Sequence, residues 1–156
     1  MKLVSNLIEA HIFREKGDTV EFLLLKRSPE QYYPNLWQMV SGKIKDGEKA
    51  FETAIREIKE ETSLTPARLW IVPNINSFYS SDSDYISLIP VFAARVEPDV
   101  EVRISSEHSE WNWFKPEEAK KILAWDGQRK SVDLIVEYFF ERNSLLKFVE
   151  IEVQNN

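Results

Sequence analysis

With 156 residues, 43% of them hydrophobic and 12% aromatic, the chain is long enough for one domain with a sizeable core. Its formal charge of −6 offers no basic footprint for duplex nucleic acid, and the absence of cysteine excludes disulfides, thiolate zinc sites and cysteine nucleophiles. Two histidines, His11 and His108, are too few for a histidine metal cluster, and no apolar run approaches the length that crosses a bilayer. The N-terminal residues lack a charged-apolar-small signal pattern, so a cytoplasmic protein is expected.

Leu3 to Phe13 alternates in part and predicts a strand, with a hairpin turn at Glu15-Lys16-Gly17-Asp18 and a partner strand from Val20 to Leu25. Ser28 to Asn35, holding Pro29 and Pro34, is a loop, and Trp37 to Val40 is a short strand leading into glycine. A helix follows, with Asp46 as its N-cap, Gly47 in its first turn and Glu48 near the positive end of its dipole. Arg68 to Tyr79 and Tyr85 to Val96 are strands joined by the polar turn Ser80 to Asp84, whose oxygens lack the spacing of a calcium loop. After the loop Pro98 to Ser106 come an aromatic strand, Trp111 to Phe114, and a helix, Pro116 to Ala124, with proline in its first turn. A second helix, Arg129 to Arg142, puts Val132, Ile135, Val136 and Phe139 on one face, and Phe148 to Val153 is a terminal strand. Strands divided by a helix, with more helices at the end, predict a mixed sheet between helices in one domain spanning residues 1–156.

The chemistry concentrates between Gly42 and Leu64. On a helix, Glu57, Glu60 and Glu61 share about 100° of arc, beside an apolar stripe of Phe51, Ala54, Ile55 and Ile58 that marks the core face. Carboxylates three and four residues apart repel by roughly 0.2–0.5 kcal/mol on an exposed helix and by more beside a core, so a cation belongs among them. Hard oxygen ligands suit Mg²⁺ or Mn²⁺. Ala50 and Thr53 are short and are expected to leave open space along the same stripe.

This stretch resembles the Nudix box, in which glycine, five residues, glutamate, seven residues and Arg-Glu-aliphatic-any-Glu-Glu-any-Gly-aliphatic follow in order. Gly42, Glu48, Arg56, Glu57, Ile58, Glu60, Glu61 and Leu64 occupy the specified places, and Ser63 alone departs, standing where the pattern has glycine. That position lies past the helix, where a left-handed residue is expected, so Ser63 costs local stability and removes no ligand.

The resemblance implies a Nudix α/β/α sandwich of α/β (α+β) class and a Mg²⁺-dependent pyrophosphohydrolase, with Mn²⁺ as an alternative ion. It implies Glu57 and Glu61 as metal ligands, Glu60 as a third ligand or one acting through water, and a backbone carbonyl from Gly42. Arg56 reads as a clamp on Glu48 or Glu60. Glu107, in Ser106-Glu107-His108 ahead of the aromatic strand, is the candidate base or further metal ligand, and His108 is read as packed or solvated. Lys26 and Arg27 at a strand end and Ser41 beside the glycine are candidates for phosphate and substrate contacts. Trp37, Phe78, Tyr79 and Trp125 are candidates for stacking on a base, the alternative being half-buried wall.

Glu107-His108, Leu25-Lys26-Arg27, Trp37-Gln38-Met39-Val40-Ser41-Gly42 and Trp125 resemble the branch that splits dATP or dihydroneopterin triphosphate into a monophosphate and pyrophosphate. A dinucleoside polyphosphate hydrolase is the second reading, favoured by Tyr79 and opposed by a loop without Pro-Lys-Gly. A nucleotide-sensing module without catalysis is the third; such modules usually lose part of the box, which is intact in this sequence. A nucleotide-like small molecule is the expected partner, to a monomer or homodimer.

Overall fold

The computed structural model describes residues 1–153; residues 154–156, the last of the expected domain range, lie outside it. Nine strands form one mixed sheet: β1 (Lys2–Val4), β2 (Leu7–Lys16), β3 (Thr19–Arg27), β4 (Trp37–Gln38), β5 (Val40–Lys43), β6 (Arg68–Ser80), β7 (Tyr85–Arg95), β8 (His108–Phe114) and β9 (Glu150–Ile151). The helices are α1 (Ala50–Thr62), α2 (Pro116–Ile122) and α3 (Asp126–Val136).

The strand β2 organises the sheet because it divides its neighbours. One edge runs parallel to β7 from Glu9 to Phe13. The other pairs with β5 from Leu7 to Ala10 and then with β3 from Ile12 to Lys16. Strands β4 and β5 are thus wedged where β2 and β3 part, β4 meeting β3 at Leu25 and Lys26. The wedge delivers Gly42 opposite Ile8 and Ser41 opposite Glu9.

Alternation along β2 feeds two cores. Ile8, Ala10 and Ile12 join Leu23, Leu25, Val40, Phe92 and Ala94 under Ala54 and Ile58 of α1. Phe13 joins Phe22, Trp70, Val91 and Ala93 under α2 and α3, with Leu123, Val132 and Ile135. Helices therefore cover both faces, as the sandwich reading expects. Ala54 and Ile58 are fully buried, and Phe51 and Ile55 pack at the margin of the same core.

Several local expectations are corrected. The first strand breaks at Ser5-Asn6, because β1 and β2 each pair with a different stretch of β7. The N-cap of α1 is Lys49, whose backbone N–H donates to Glu52 at 2.8 Å, while Asp46 and Gly47 belong to a preceding turn with Gly47 at φ 78°. Glu48 stands ahead of the helix, and its carboxylate reaches Thr53 and Arg56. Thr53 is fully buried and donates to Glu48 at 2.5 Å, so the space expected at that position is filled. Strand β8 begins at His108, and α3 runs from Asp126 to Val136 before widening into a π turn at Glu137–Glu141 that carries Phe139 against Phe13 and Trp70. Of the expected terminal strand only Glu150 and Ile151 pair, against Trp70 and Leu69, because Asn143–Phe148 forms a 3-10 helix.

Helix α1 ends as anticipated on a left-handed residue: Ser63 has φ 65°, and its N–H donates to Lys59 O at 3.0 Å. Its hydroxyl donates to Arg103 O at 3.0 Å on the surface, which offsets part of the strain. A non-glycine residue in this conformation costs about 1 kcal/mol and an exposed neutral hydrogen bond returns about half of that. Ser63→Gly is therefore expected to stabilise the fold by about 0.5 kcal/mol, read as a rise in melting temperature of roughly 1–2 °C. A fall would show that the Arg103 bond outweighs the strain.

Candidate active site

Arg56 is the hub of the box. Its Nε and Nη2 grip the two oxygens of Glu48 at 2.8 and 2.9 Å, Nη1 donates to Glu57 at 2.8 Å and to Glu60 at 3.1 Å, and Nη2 also reaches Lys43 O at 2.9 Å. The expected clamp on Glu48 or Glu60 is a clamp on both, and on Glu57 besides. Hydrogen bonds from Arg56, then Thr53, hold the Glu48 carboxyl down to about 2. Glu48 thus anchors the guanidinium, which in turn orients the helix carboxylates.

Glu57 lies against Gly42: a Cβ there would sit 2.2 Å from Glu57 Cδ, so no other residue leaves room for the carboxylate. Glu61 is deeply buried one turn later. Burial first, then the charges of Glu57 and Glu107, push its pKa up to about 10, and its Oε2 has no hydrogen-bond partner. The loop before β8 closes on this end of α1 through Arg103 N to Thr62 O at 3.0 Å and Ser105 N to Glu61 O at 3.3 Å. It is pinned from the other side by Ser28, which donates to Glu107 O and Ser106 O. Glu61, Glu107 and His108 consequently offer ligand atoms all within 4.8 Å of one another. His108 is buried, 3.7 Å from Glu61 and 3.2 Å from Gln38, and burial with nearby Arg27 lowers its pKa to about 4.

The remaining sequence candidates divide. Arg27 lies close enough for its charge to act on Glu61 and His108, and it donates to Tyr32 O. Lys26 is paired with Glu110 across β3 and β8 at 3.0 Å. Trp37 is half-buried and meets Phe114 at about a right angle, 5.4 Å away, at the margin of the core under α2 and α3. Trp125, Phe78 and Tyr79 are exposed; Trp125 meets Tyr33 edge-on at 6.2 Å, and Tyr79 donates to Asp84 at 2.9 Å. Ser41 is half-buried and faces the α3 side with Glu9.

Residues 8–135 match the model of the NUDIX domain. The chain belongs to the Nudix family. Nudix members hydrolyse phosphorus-containing anhydrides and generally use divalent metals, and this chain is a hydrolase of that kind. It is 35% identical over 113 residues to an asymmetrical bis(5'-nucleosyl)-tetraphosphatase of Caenorhabditis elegans, covering 71% of this chain and 79% of that one. A dihydroneopterin triphosphate diphosphatase of Haemophilus influenzae is 27% identical over 139 residues, covering 79% and 81%. The structure of an Ap4A hydrolase from C. elegans superposes with a TM-score of 0.70 at 26% identity over 85% of this chain and 97% of the other. The Nudix sandwich read from the sequence is the fold observed.

Glu48 also gives the clamp a pH signature. Its folded pKa lies below the ordinary carboxyl value of about 4.3, so the stabilisation is complete above that value and is lost as pH falls from there towards 2. Between pH 6 and pH 3 the urea midpoint is expected to fall more steeply in the wild type than in Glu48→Gln. Parallel slopes would show that the depressed carboxyl is not carrying the effect.

Proposed function

We propose that this Nudix hydrolase cleaves a dinucleoside polyphosphate asymmetrically, adding water across a phosphoanhydride so that a dinucleoside tetraphosphate leaves as a nucleoside mono- and triphosphate. The observation that carries the reading is the 35% identity to a tetraphosphatase of that name across most of both chains. The exposed aromatics Tyr32, Tyr33, Tyr79 and Trp125 around the loops support it, since a second nucleoside needs stacking surface beyond the metal-side carboxylates. The second reading, a nucleoside or pterin triphosphate taken to its monophosphate and pyrophosphate, rests on Trp37 to Gly42 and Trp125 together with the 27% identity to the dihydroneopterin triphosphate enzyme. Both reactions release a nucleoside monophosphate or its pterin counterpart, so the same residues serve either. Action in the cytoplasm belongs to this proposal.

The residues fit a divalent cation, Mg²⁺ or Mn²⁺. Glu61 holds a buried, unpartnered oxygen whose carboxyl is short of positive charge, and the Glu57 carboxylate lies directly against the Gly42 backbone. Glu57, Glu61, the Gly42 carbonyl and Glu107 would hold it, with Glu60 at the solvent side. Such an ion supplies charge neutralisation for the phosphates and acidifies water near them.

Arg56 fixes Glu57 and Glu60 in place before substrate arrives, and its bond to Lys43 O ties the helix to the glycine strand. Arg27, at the end of β3, supplies positive charge toward the phosphate chain. Glu107 lies in a loop open to solvent, where its carboxylate, as the alternative to holding the cation, can accept a proton from the attacking water.

Loss of an outer partner that orients a metal ligand typically costs about 10- to 100-fold. Glu57→Gln and Glu61→Gln are expected to exceed that, losing more than about 100-fold in kcat, with Arg56→Lys inside the range. Near-wild-type turnover in either glutamine variant would remove the metal assignment. Product-resolved assays with Mg²⁺ decide between readings: mono- plus triphosphate from a dinucleoside tetraphosphate supports the first, pyrophosphate from nucleoside or pterin triphosphates alone moves it to the second, and metal-dependent binding without product identifies a sensor.

A further inference from the structure

On the face of the sheet that carries α2 and α3, at the end away from the box, lies an open hollow of about 630 Å³ that the hydrolytic chemistry does not use. Its size is that of a small-molecule site. Glu15 of β2 lines it, seven residues along the strand from Ile8, the partner of Gly42, which is about 23 Å of extended chain. The hollow and the carboxylate cluster are therefore separate places on opposite faces.

Arg68 of β6 and Arg95 of β7 also line it, and they are direct cross-strand partners, so both side chains leave the sheet on the same face next to each other. Like charges in that arrangement repel. One carboxylate answers them: Glu150 of β9 takes Arg68 through Nε and Nη2, both at 2.7 Å, and the guanidinium lies over the Trp70 ring at 5.1 Å. Glu150 thus fixes Arg68 and leaves its Nη1 unused. Arg95 is half-buried, and among the described residues its side chain makes neither a hydrogen bond nor an ion pair. A partly buried guanidinium is short of water as well as of a counter-charge, which is the condition an anion relieves.

Lys147, from the 3-10 helix Asn143–Phe148, adds a third cation to the lining, and it too has no acidic partner among the described residues. Three cations face two carboxylates, one of them already committed to Arg68, so the hollow is a positive spot on a chain of formal charge −6. The free donors come from three different elements, β6, β7 and the 3-10 helix, and so do not lie along one edge. A carboxylate presents two oxygens in one plane, whereas a terminal phosphate presents three at tetrahedral angles and carries close to two charges. The phosphate matches the larger number of donors. Phe140, 49% exposed at the same rim, offers an apolar face to whatever carries that group.

We propose that this hollow is a second, non-catalytic site for a terminal phosphate group, free or as a monoester, held by Arg95 together with Arg68 Nη1 and Lys147. Glu150 is a positioning residue for Arg68. The site goes beyond the hydrolase reading and does not depend on it.

The test is a titration of the wild-type protein with inorganic phosphate in EDTA, where no divalent cation draws phosphate to the box, followed by NMR of the backbone amides and arginine Nε–H groups. Saturable shifts are expected at Arg68, Arg95 and Lys147, with the residues from Gly42 to Glu61 unmoved. Arg95→Gln is expected to weaken binding by about tenfold or more, the loss of a charge-assisted contact. Should that variant fail to fold, Lys147→Gln, at an exposed side chain, carries the same comparison with a severalfold loss. A nucleoside monophosphate that binds at these residues more tightly than inorganic phosphate supports the site and identifies an ester whose ring lies on Phe140; equal affinity supports it with free phosphate as the ligand. Acetate binding as tightly as phosphate overturns the assignment. So do shifts that chloride reproduces at the same ionic strength, affinity unchanged in both variants, or no saturable shift at these residues.

Discussion

Four carboxylates line helix α1 and its approach, and three of them are held by the single guanidinium of Arg56. Two unit charges 4 Å apart interact by roughly 4 kcal/mol in surroundings of intermediate dielectric, comparable with a large share of the stability of a small domain. Arg56 converts that repulsion into attraction for Glu48, Glu57 and Glu60, and lysine could not replace it, because three different groups are met by the fixed fork of one planar side chain. Glu61 lies outside its reach. The chain neutralises as much of the cluster as positions the ligands and leaves one buried carboxyl short of charge, which is the condition a divalent cation would relieve.

The box was legible in the sequence because its spacing is helical and local. A period of 3.6 residues places Glu57 and Glu61 on one stripe and Ile58 on the next, and the structure buries Ile58 fully while keeping Arg56 among the acids. Ser63 was legible too, since a left-handed residue after a helix is a local matter. Glu107 could be named as a carboxylate ahead of an aromatic strand, yet its approach to Glu61 depends on the loop from Pro98 docking onto the end of α1. The Asp46 N-cap failed for a related reason: Glu48 is drawn into the Arg56 clamp, and the helix starts only after it, at Lys49.

What was hidden is what needs register between distant strands. Lys26 reads as a cation at a strand end, and only the register of β8 brings Glu110 opposite it; the meeting of Trp37 with Phe114 at about a right angle likewise depends on β8. Glu9 accepts hydrogen bonds from Asn76 and Gln128 but shares no period and no motif with them; only the parity of β2 and the missing Cβ of Gly127 put them together. A clue was present in the first strand, where a lone glutamate interrupts Ile8 and Ala10, since a buried carboxylate without a partner is rarely tolerated.

The same parity separates the two faces of the sheet. Neighbouring residues of β2 and β5 alternate between the faces, so Ile8 and Gly42 belong to the α1 side while Glu9 and Ser41 belong to the α3 side. A register slip of one residue would exchange the two sets and lose the Gly42 cradle for Glu57. The cores beneath both helices forbid that slip, because it would turn Ile8, Ala10 and Ile12 away from α1. Within a fixed register, substitutions on the α3 face can change what the sheet meets without touching the carboxylates behind it.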